Sequence, residues 1–200
     1  VFGKKEIPEN GESGACRERG IYHREGEGQS LVNTISDGFY NWPAGEEYDA
    51  MRVLLQRVSD ASVTIDGAEK SRIGRGILLL LGIEHEDGEE DIEWLVKKLL
   101  SLRIFEDEDG KMNLSILDVG GEALVVSQFT LHARVKKGTR PGFDRAARPE
   151  VAIPLYEKFV AAFEEGLGKP VGTGEFGAMM KVALTNDGPV TIWIDSRNRE

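Results

Sequence analysis

Cysteine is nearly absent, with Cys16 alone among 200 residues. One thiol excludes an intramolecular disulfide and a multi-cysteine metal site, and makes a reducing compartment, the cytoplasm, the expected location. Long apolar runs are also missing. The longest, residues 77–83, falls far short of the ~18 residues of a membrane-spanning helix and reads as a buried strand, so no membrane partner is expected. No basic stretch followed by an apolar one marks a signal peptide. There is no Walker A loop, no G-x-G-x-x-G after a strand and no H-E-x-x-H, which removes support for nucleotide-driven, dinucleotide and zincin chemistry. Asp107-Glu108-Asp109-Gly110 lacks the ligand spacing of an EF-hand, so no metal and no cofactor are expected.

Positive charge is scarce overall, at a formal net charge of −10, which is not the usual footprint of a nucleic-acid binder. Its distribution is uneven, however. Arg134, Lys136, Lys137, Arg140, Arg145 and Arg148 form a basic cluster interrupted only by Asp144. A local phosphate-binding surface therefore stays open beside the plainer reading, a solvated loop.

Residues 1–50 hold five Lys/Arg against ten Asp/Glu, with scattered Gly, Ser and Asn and no sustained apolar period. They read as a disordered or loosely attached extension, with Met51 as the expected natural start, and residues 51–200 read as the folded domain. Residues 52–58 are strand-like. Residues 61–65, Asp66-Gly67 and residues 70–73 read as a hairpin, and residues 77–83 as the next strand, which makes the opening antiparallel β. Ile92, Leu95, Val96, Leu99 and Leu100 make the stripe of an amphipathic helix over residues 89–102. A short strand is read at residues 103–105, a longer one over residues 122–131, and a surface loop over residues 132–148. A second helix spans residues 149–167, with Pro154 marking where its regular part starts. Two further strands, residues 181–184 and 190–194, flank Asn186-Asp187-Gly188-Pro189.

That corner has two readings. Asn, Asp, Gly and Pro are the ordinary residues of a turn between strands. Gly188-Pro189 is also a rigid bend whose carbonyls can face a ligand. A nucleophilic hydrolase would use Ser127 or Thr130, but no G-x-S-x-G elbow surrounds Ser127. His132 would share a strand face with Thr130 if the strand continued, yet the simpler reading is a lone surface histidine.

Ser127-Gln128-Phe129-Thr130-Leu131 and Asn186-Asp187-Gly188-Pro189-Val190-Thr191, together with Arg140-Pro141-Gly142-Phe143, resemble the D-aminoacyl-tRNA deacylase family. The likeness runs from Met51-Arg52-Val53-Leu54-Leu55-Gln56-Arg57-Val58 to Trp193 and leaves out residues 1–50. It implies an α/β fold of α+β type: a compact antiparallel, barrel-like sheet with two main flanking helices. The implied activity is hydrolysis of the ester joining a D-amino acid to the 3′ end of tRNA, with glycyl-tRNA as a secondary substrate. The implied assembly is a homodimer in which a cis Gly-Pro peptide of one subunit enters the active site of the other.

Residue by residue, the resemblance makes Gly188 and Pro189 a chirality filter whose carbonyls capture the substrate amino group. It makes Ser127, Gln128, Phe129 and Thr130 the pocket lining, with backbone N–H groups near the scissile carbonyl. Phe176 and Met180 fall at the adenosine or pocket wall, Asn186 lies in the corner motif, and Arg57 supports the Gly-Pro corner. Lys136, Lys137 and Arg140 would contact tRNA phosphates. Two mechanisms stay open, one assisted by the 2′-OH of the terminal adenosine and one with Thr130 as nucleophile. Two rival functions are a nucleic-acid-binding protein without hydrolysis and an editing enzyme for misacylated L-amino acids.

Overall fold

The computed structural model describes residues 50–199. The extension expected over residues 1–50 therefore lies, apart from Ala50, outside the described residues. Among them, no helix is long and apolar enough to cross a membrane.

The frame of the domain is one long strand, β1 (Arg52–Ile65), and its return. Asp66 and Gly67 both adopt positive φ, 49° and 83°, the geometry that lets a two-residue turn follow strand twist. β2 (Ala68–Ile73) and β3 (Gly76–Gly82) then run back along the same edge of β1, from Ile65↔Ala68 to Arg52↔Gly82. β8 (Met180–Asp195) pairs with the other edge of β1 over nearly its whole length. β6 (Glu122–Ser127) joins β3, and β7 (Gly172–Thr173) joins β6. The Ser71 hydroxyl bonds both the carbonyl and the N–H of Thr173, stitching β2 to β7 and curling the sheet towards closure. β4 (Phe105–Glu106) and β5 (Met112–Leu114) form a separate small hairpin.

The fold is the expected one, a barrel-like sheet with two helices. Its pairing is mixed, because β3–β6 and β6–β7 are parallel. A parallel pair needs a crossover connection, and the two helices supply them. α1 (Glu89–Ser101) lies between β3 and β6 in the chain, and α2 (Pro149–Leu167) between β6 and β7. Both pack over the same core, where Leu95 and Leu99 of α1 and Phe159 and Phe163 of α2 join Leu55 and Leu79 of the sheet.

Three local expectations are corrected. α2 is helical from Pro149, its first residue, rather than from Pro154, which sits inside the helix and forgoes one backbone bond. The strand expected over residues 122–131 stops at Ser127, and Phe129–His132 form a 3-10 turn. The strands expected at residues 181–184 and 190–194 are halves of the single strand β8.

Candidate functional site

A cleft of about 320 Å³ opens where β3 and β6 end. Its floor is apolar, with Leu81 and Val126, and its rim carries Ser127, Gln128 and Phe129 on one side and Phe176 and Met180 on the other. These five candidate residues are thus brought together. Parallel pairing sets the first side, because Leu81↔Ser127 is the last pair of the β3–β6 ladder. The Gln128 N–H then donates to the Leu81 carbonyl at 2.7 Å before the chain breaks into the 3-10 turn. The turn's own bonds run from Leu131 to Gln128 and from Ala133 to Thr130, so they do not consume the N–H groups of Phe129 and Thr130. Donors left in this way beside a cleft can hydrogen-bond a carbonyl or an oxyanion.

Across the cleft, Phe176 stands edge-on to Tyr156 at 6.3 Å. Burial pushes the Tyr156 phenol up to about 12, and its hydroxyl donates to the Val125 carbonyl at 2.8 Å, so it is an anchor and not an acid. The Met180 sulfur occupies the space that a side chain at Gly174 would need. Ala147, Ala152 and Met179 also line the cleft and had no signal in sequence. Among the described residues, no cluster of three or more His, Cys, Asp or Glu is arranged to hold a metal ion.

Thr130 is exposed and does not line the cleft. Its hydroxyl is bonded to the side-chain amide of Gln128. An amide in either orientation is too weak a base to take the hydroxyl proton, so the arrangement does not activate Thr130 as a nucleophile. His132 does not serve it from the surface either, which corrects the reading as a surface histidine. It is 1% exposed, and its Nδ1 lies 2.7 Å from Glu84 Oε1, a carboxylate that is itself fully buried.

Gly188 and Pro189 lie apart from these residues and do not line the cleft of their own chain. Between the pairs Gln56↔Thr191 and Val58↔Asn186, β1 advances two residues while β8 advances five. The three extra residues are pushed out of the ladder as a bulge with Gly188 and Pro189 exposed, joined by a cis peptide bond. The turn reading fails, since both halves of β8 pair with the same neighbour and the chain does not reverse.

Arg57 underlies this bulge. It is 4% exposed, and its guanidinium donates to the carbonyls of Ile104 at 2.6 Å and Asp187 at 3.1 Å, with the Asp187 carboxylate at 3.3 Å. The Asn186 amide donates to the Val190 carbonyl at 3.1 Å and ties the two ends of the bulge together. Arg57 and Asn186 thus group with Gly188 and Pro189, away from the cleft.

The loop after His132 is exposed at Lys136, Lys137 and Arg140. Asp144, the one acid among its cations, accepts a hydrogen bond from Arg134 at 2.8 Å, which holds its carboxyl below the usual range. Among the described residues, no carboxylate lies within ion-pair distance of Lys136, Lys137 or Arg140.

Residues 54–195 match the family described as D-Tyr-tRNA(Tyr) deacylase. A D-aminoacyl-tRNA deacylase of Chromobacterium violaceum is 63% identical over 150 residues, covering 75% of this chain and 100% of that protein. One from Bacteroides thetaiotaomicron is 61% identical with the same coverage. Among solved structures, a c-Myc DNA unwinding element binding protein is similar at a TM-score of 0.68 and 45% identity, over 72% of this chain and 97% of its own. A probable eukaryotic D-amino acid tRNA deacylase shares the fold at a TM-score of 0.63 and 20% identity, over 73% of this chain and 99% of its own.

Proposed function

The chain belongs to the D-Tyr-tRNA(Tyr) deacylase family and is a hydrolase acting on aminoacyl-tRNA, and on that premise we propose that it removes D-amino acids from tRNA through a filter built of backbone. Residues 51–200 are the deacylase domain, acting in the cytoplasm. The observation that carries the reading is the bulge at Gly188-Pro189, firmly held beneath and exposed above, in a chain whose own cleft it does not line. In a homodimer the bulge of one subunit enters the cleft of the other, and its carbonyls accept hydrogen bonds from the substrate ammonium group. Carbonyls placed in this way test the arrangement around Cα and ignore the side chain, so many D-amino acids are accepted. Glycine, lacking a side chain to exclude, is a secondary substrate.

In the reaction, the N–H groups of Phe129 and Thr130 stabilise charge on the carbonyl oxygen as water adds to the carbon. The bond to the 3′-oxygen then breaks, the 3′-oxygen takes a proton, and free D-amino acid and tRNA leave. The unactivated state of Thr130 supports assistance by the neighbouring 2′-OH of the terminal adenosine. An aminoacyl ester is already activated, so positioning and oxyanion stabilisation supply much of the acceleration. Phe176 and Met180 wall the pocket around the adenosine.

The test is deacylation of matched D-Tyr-tRNA and L-Tyr-tRNA by the wild type and by Thr130→Ala. The D ester should be cleared on the order of 100-fold faster, the effect of about two misplaced hydrogen bonds, and Thr130→Ala should retain D-specific hydrolysis. Equal turnover of the two esters would defeat the filter. Loss of turnover at unchanged affinity in Thr130→Ala would make the threonine the nucleophile. Tight tRNA binding with no release of amino acid would favour the binding-protein rival.

Lys136, Lys137 and Arg140 hold tRNA phosphates in this reading. Reversing the charge at Lys136 and Lys137 should weaken tRNA binding and flatten its dependence on log salt by about 1.5 or more. Filter-binding titrations across salt concentrations measure this, and an unchanged slope would leave the loop merely solvated.

A further inference from the structure

We propose that Glu84 and His132 are positioning residues: a buried pair that sets the backbone of residues 127–130 from behind, governing turnover while touching no substrate. The inference rests on the reading that this backbone faces the scissile carbonyl. The pair joins two elements that must stay in register. Glu84 follows the end of β3, and His132 closes the 3-10 turn. Their side chains meet at 2.7 Å in a fully buried site. Arg52 of β1 ties in a third element. Its NH1 donates to the Leu131 carbonyl at 3.3 Å and lies 3.9 Å from Glu84 Oε1, while its Nε binds Asp195 of β8 at 3.2 Å.

The space around the ring is shaped for it. A Cβ at Gly82 would lie 2.7 Å from His132 Nε2 and 3.1 Å from the Gln128 carbonyl oxygen, so the ring and a main-chain group of the cleft rim share one niche. The turn is therefore fixed at both ends. In front, the Gln128 N–H is held by Leu81, and behind, His132 is held by Glu84. Phe129 and Thr130, between these two fixed points, are exposed, with the Phe129 ring edge-on to Phe143 at 5.1 Å.

An apolar residue could fill such a niche without the desolvation cost of a buried carboxylate. What the pair adds is direction, since polar contacts at Nδ1, 2.7 Å from Glu84 Oε1 and 3.3 Å from Arg52 NH1, fix the ring's angle as well as its depth. A misplacement of about 1 Å in a positioning element can cost on the order of 100-fold in rate.

The test uses the full-length protein with D-Tyr-tRNA. In His132→Ala, kcat should fall about 10- to 100-fold while KM stays close to the wild-type value. Glu84→Gln, which keeps a polar group of the same shape beside the ring, should recover most of the rate, whereas Glu84→Ala should match His132→Ala. Gly82→Ala, which displaces the ring without deleting it, should show the same loss confined to kcat and serves if His132→Ala does not fold. Hydrogen exchange gives a readout independent of activity: amides of residues 127–133 should exchange faster in His132→Ala, with α2 unchanged. Wild-type kcat in these variants, or no rescue by Glu84→Gln, would overturn the pair. Unchanged exchange would overturn it even if the wild type proved inactive on D-Tyr-tRNA, a result that by itself overturns the functional reading.

Discussion

Gly188→Ala should lose on the order of 100-fold in kcat/KM towards D-Tyr-tRNA while the protein stays folded. Two constraints act on this residue together. Its φ of +115° lies where L side chains are strained, and a methyl there would sit 2.5 Å from Arg57 NH2 and 3.1 Å from Val190 Cγ2. Arg57 cannot step aside, because it is buried and committed to the Ile104 and Asp187 carbonyls. The bulge must move instead, carrying with it the carbonyls that read the substrate ammonium group. The ladder on either side does not depend on it. Residues 191–195 pair with residues 52–56, and residues 180–186 with residues 58–65, so β8 remains in place. Steady-state deacylation kinetics with a circular-dichroism melt separate the two effects. Activity within a few-fold of wild type, with the melt unchanged, would remove Gly188 from the filter.

The legible and illegible parts of this protein divide by the range of the interaction that decides them. Helix α1 was legible because its stripe is local: Ile92, Leu95, Val96, Leu99 and Leu100 are all buried, as the period requires. The hairpin was legible because Asp66-Gly67 names its own turn. The corner at Gly188-Pro189 was misread as a strand boundary because its residue types are those of a turn. What makes it a bulge is the register of both flanks against β1, some 130 residues away in the chain.

The parallel pairing escaped for a similar reason. An opening hairpin suggests antiparallel continuation, although a long helical connection between two apolar strands carries the opposite message. The cleft itself was half legible. The change from apolar to polar residues at Ser127 marked the end of β6 and the start of the rim. His132 gave no such sign. Its burial depends on Glu84, which arrives from the end of β3 and leaves no pattern around position 132.

Gly76→Ala should destabilise the domain by about 3 kcal/mol or more, at the upper end of the cost of overpacking. A methyl at Gly76 would lie 1.8 Å from the Glu122 carbonyl oxygen, 2.6 Å from its carbonyl carbon and 2.7 Å from its nitrogen. All three atoms are main chain, so no side-chain rotation relieves the clash and the two strands must separate. Gly67→Ala is the internal comparison. Nothing lies within 4 Å of the added methyl there, so its cost is confined to a φ of +83°, roughly 1–2 kcal/mol. Urea denaturation should therefore place the Gly76→Ala midpoint well below that of Gly67→Ala, and equal midpoints would defeat the argument. The site should feel the difference as well. Gly76↔Glu122 opens the parallel ladder that ends at Leu81↔Ser127, where the Gln128 N–H meets the Leu81 carbonyl. A wedge at one end of so short a ladder shifts the register at the other, so deacylation per folded molecule should fall in Gly76→Ala and hold in Gly67→Ala.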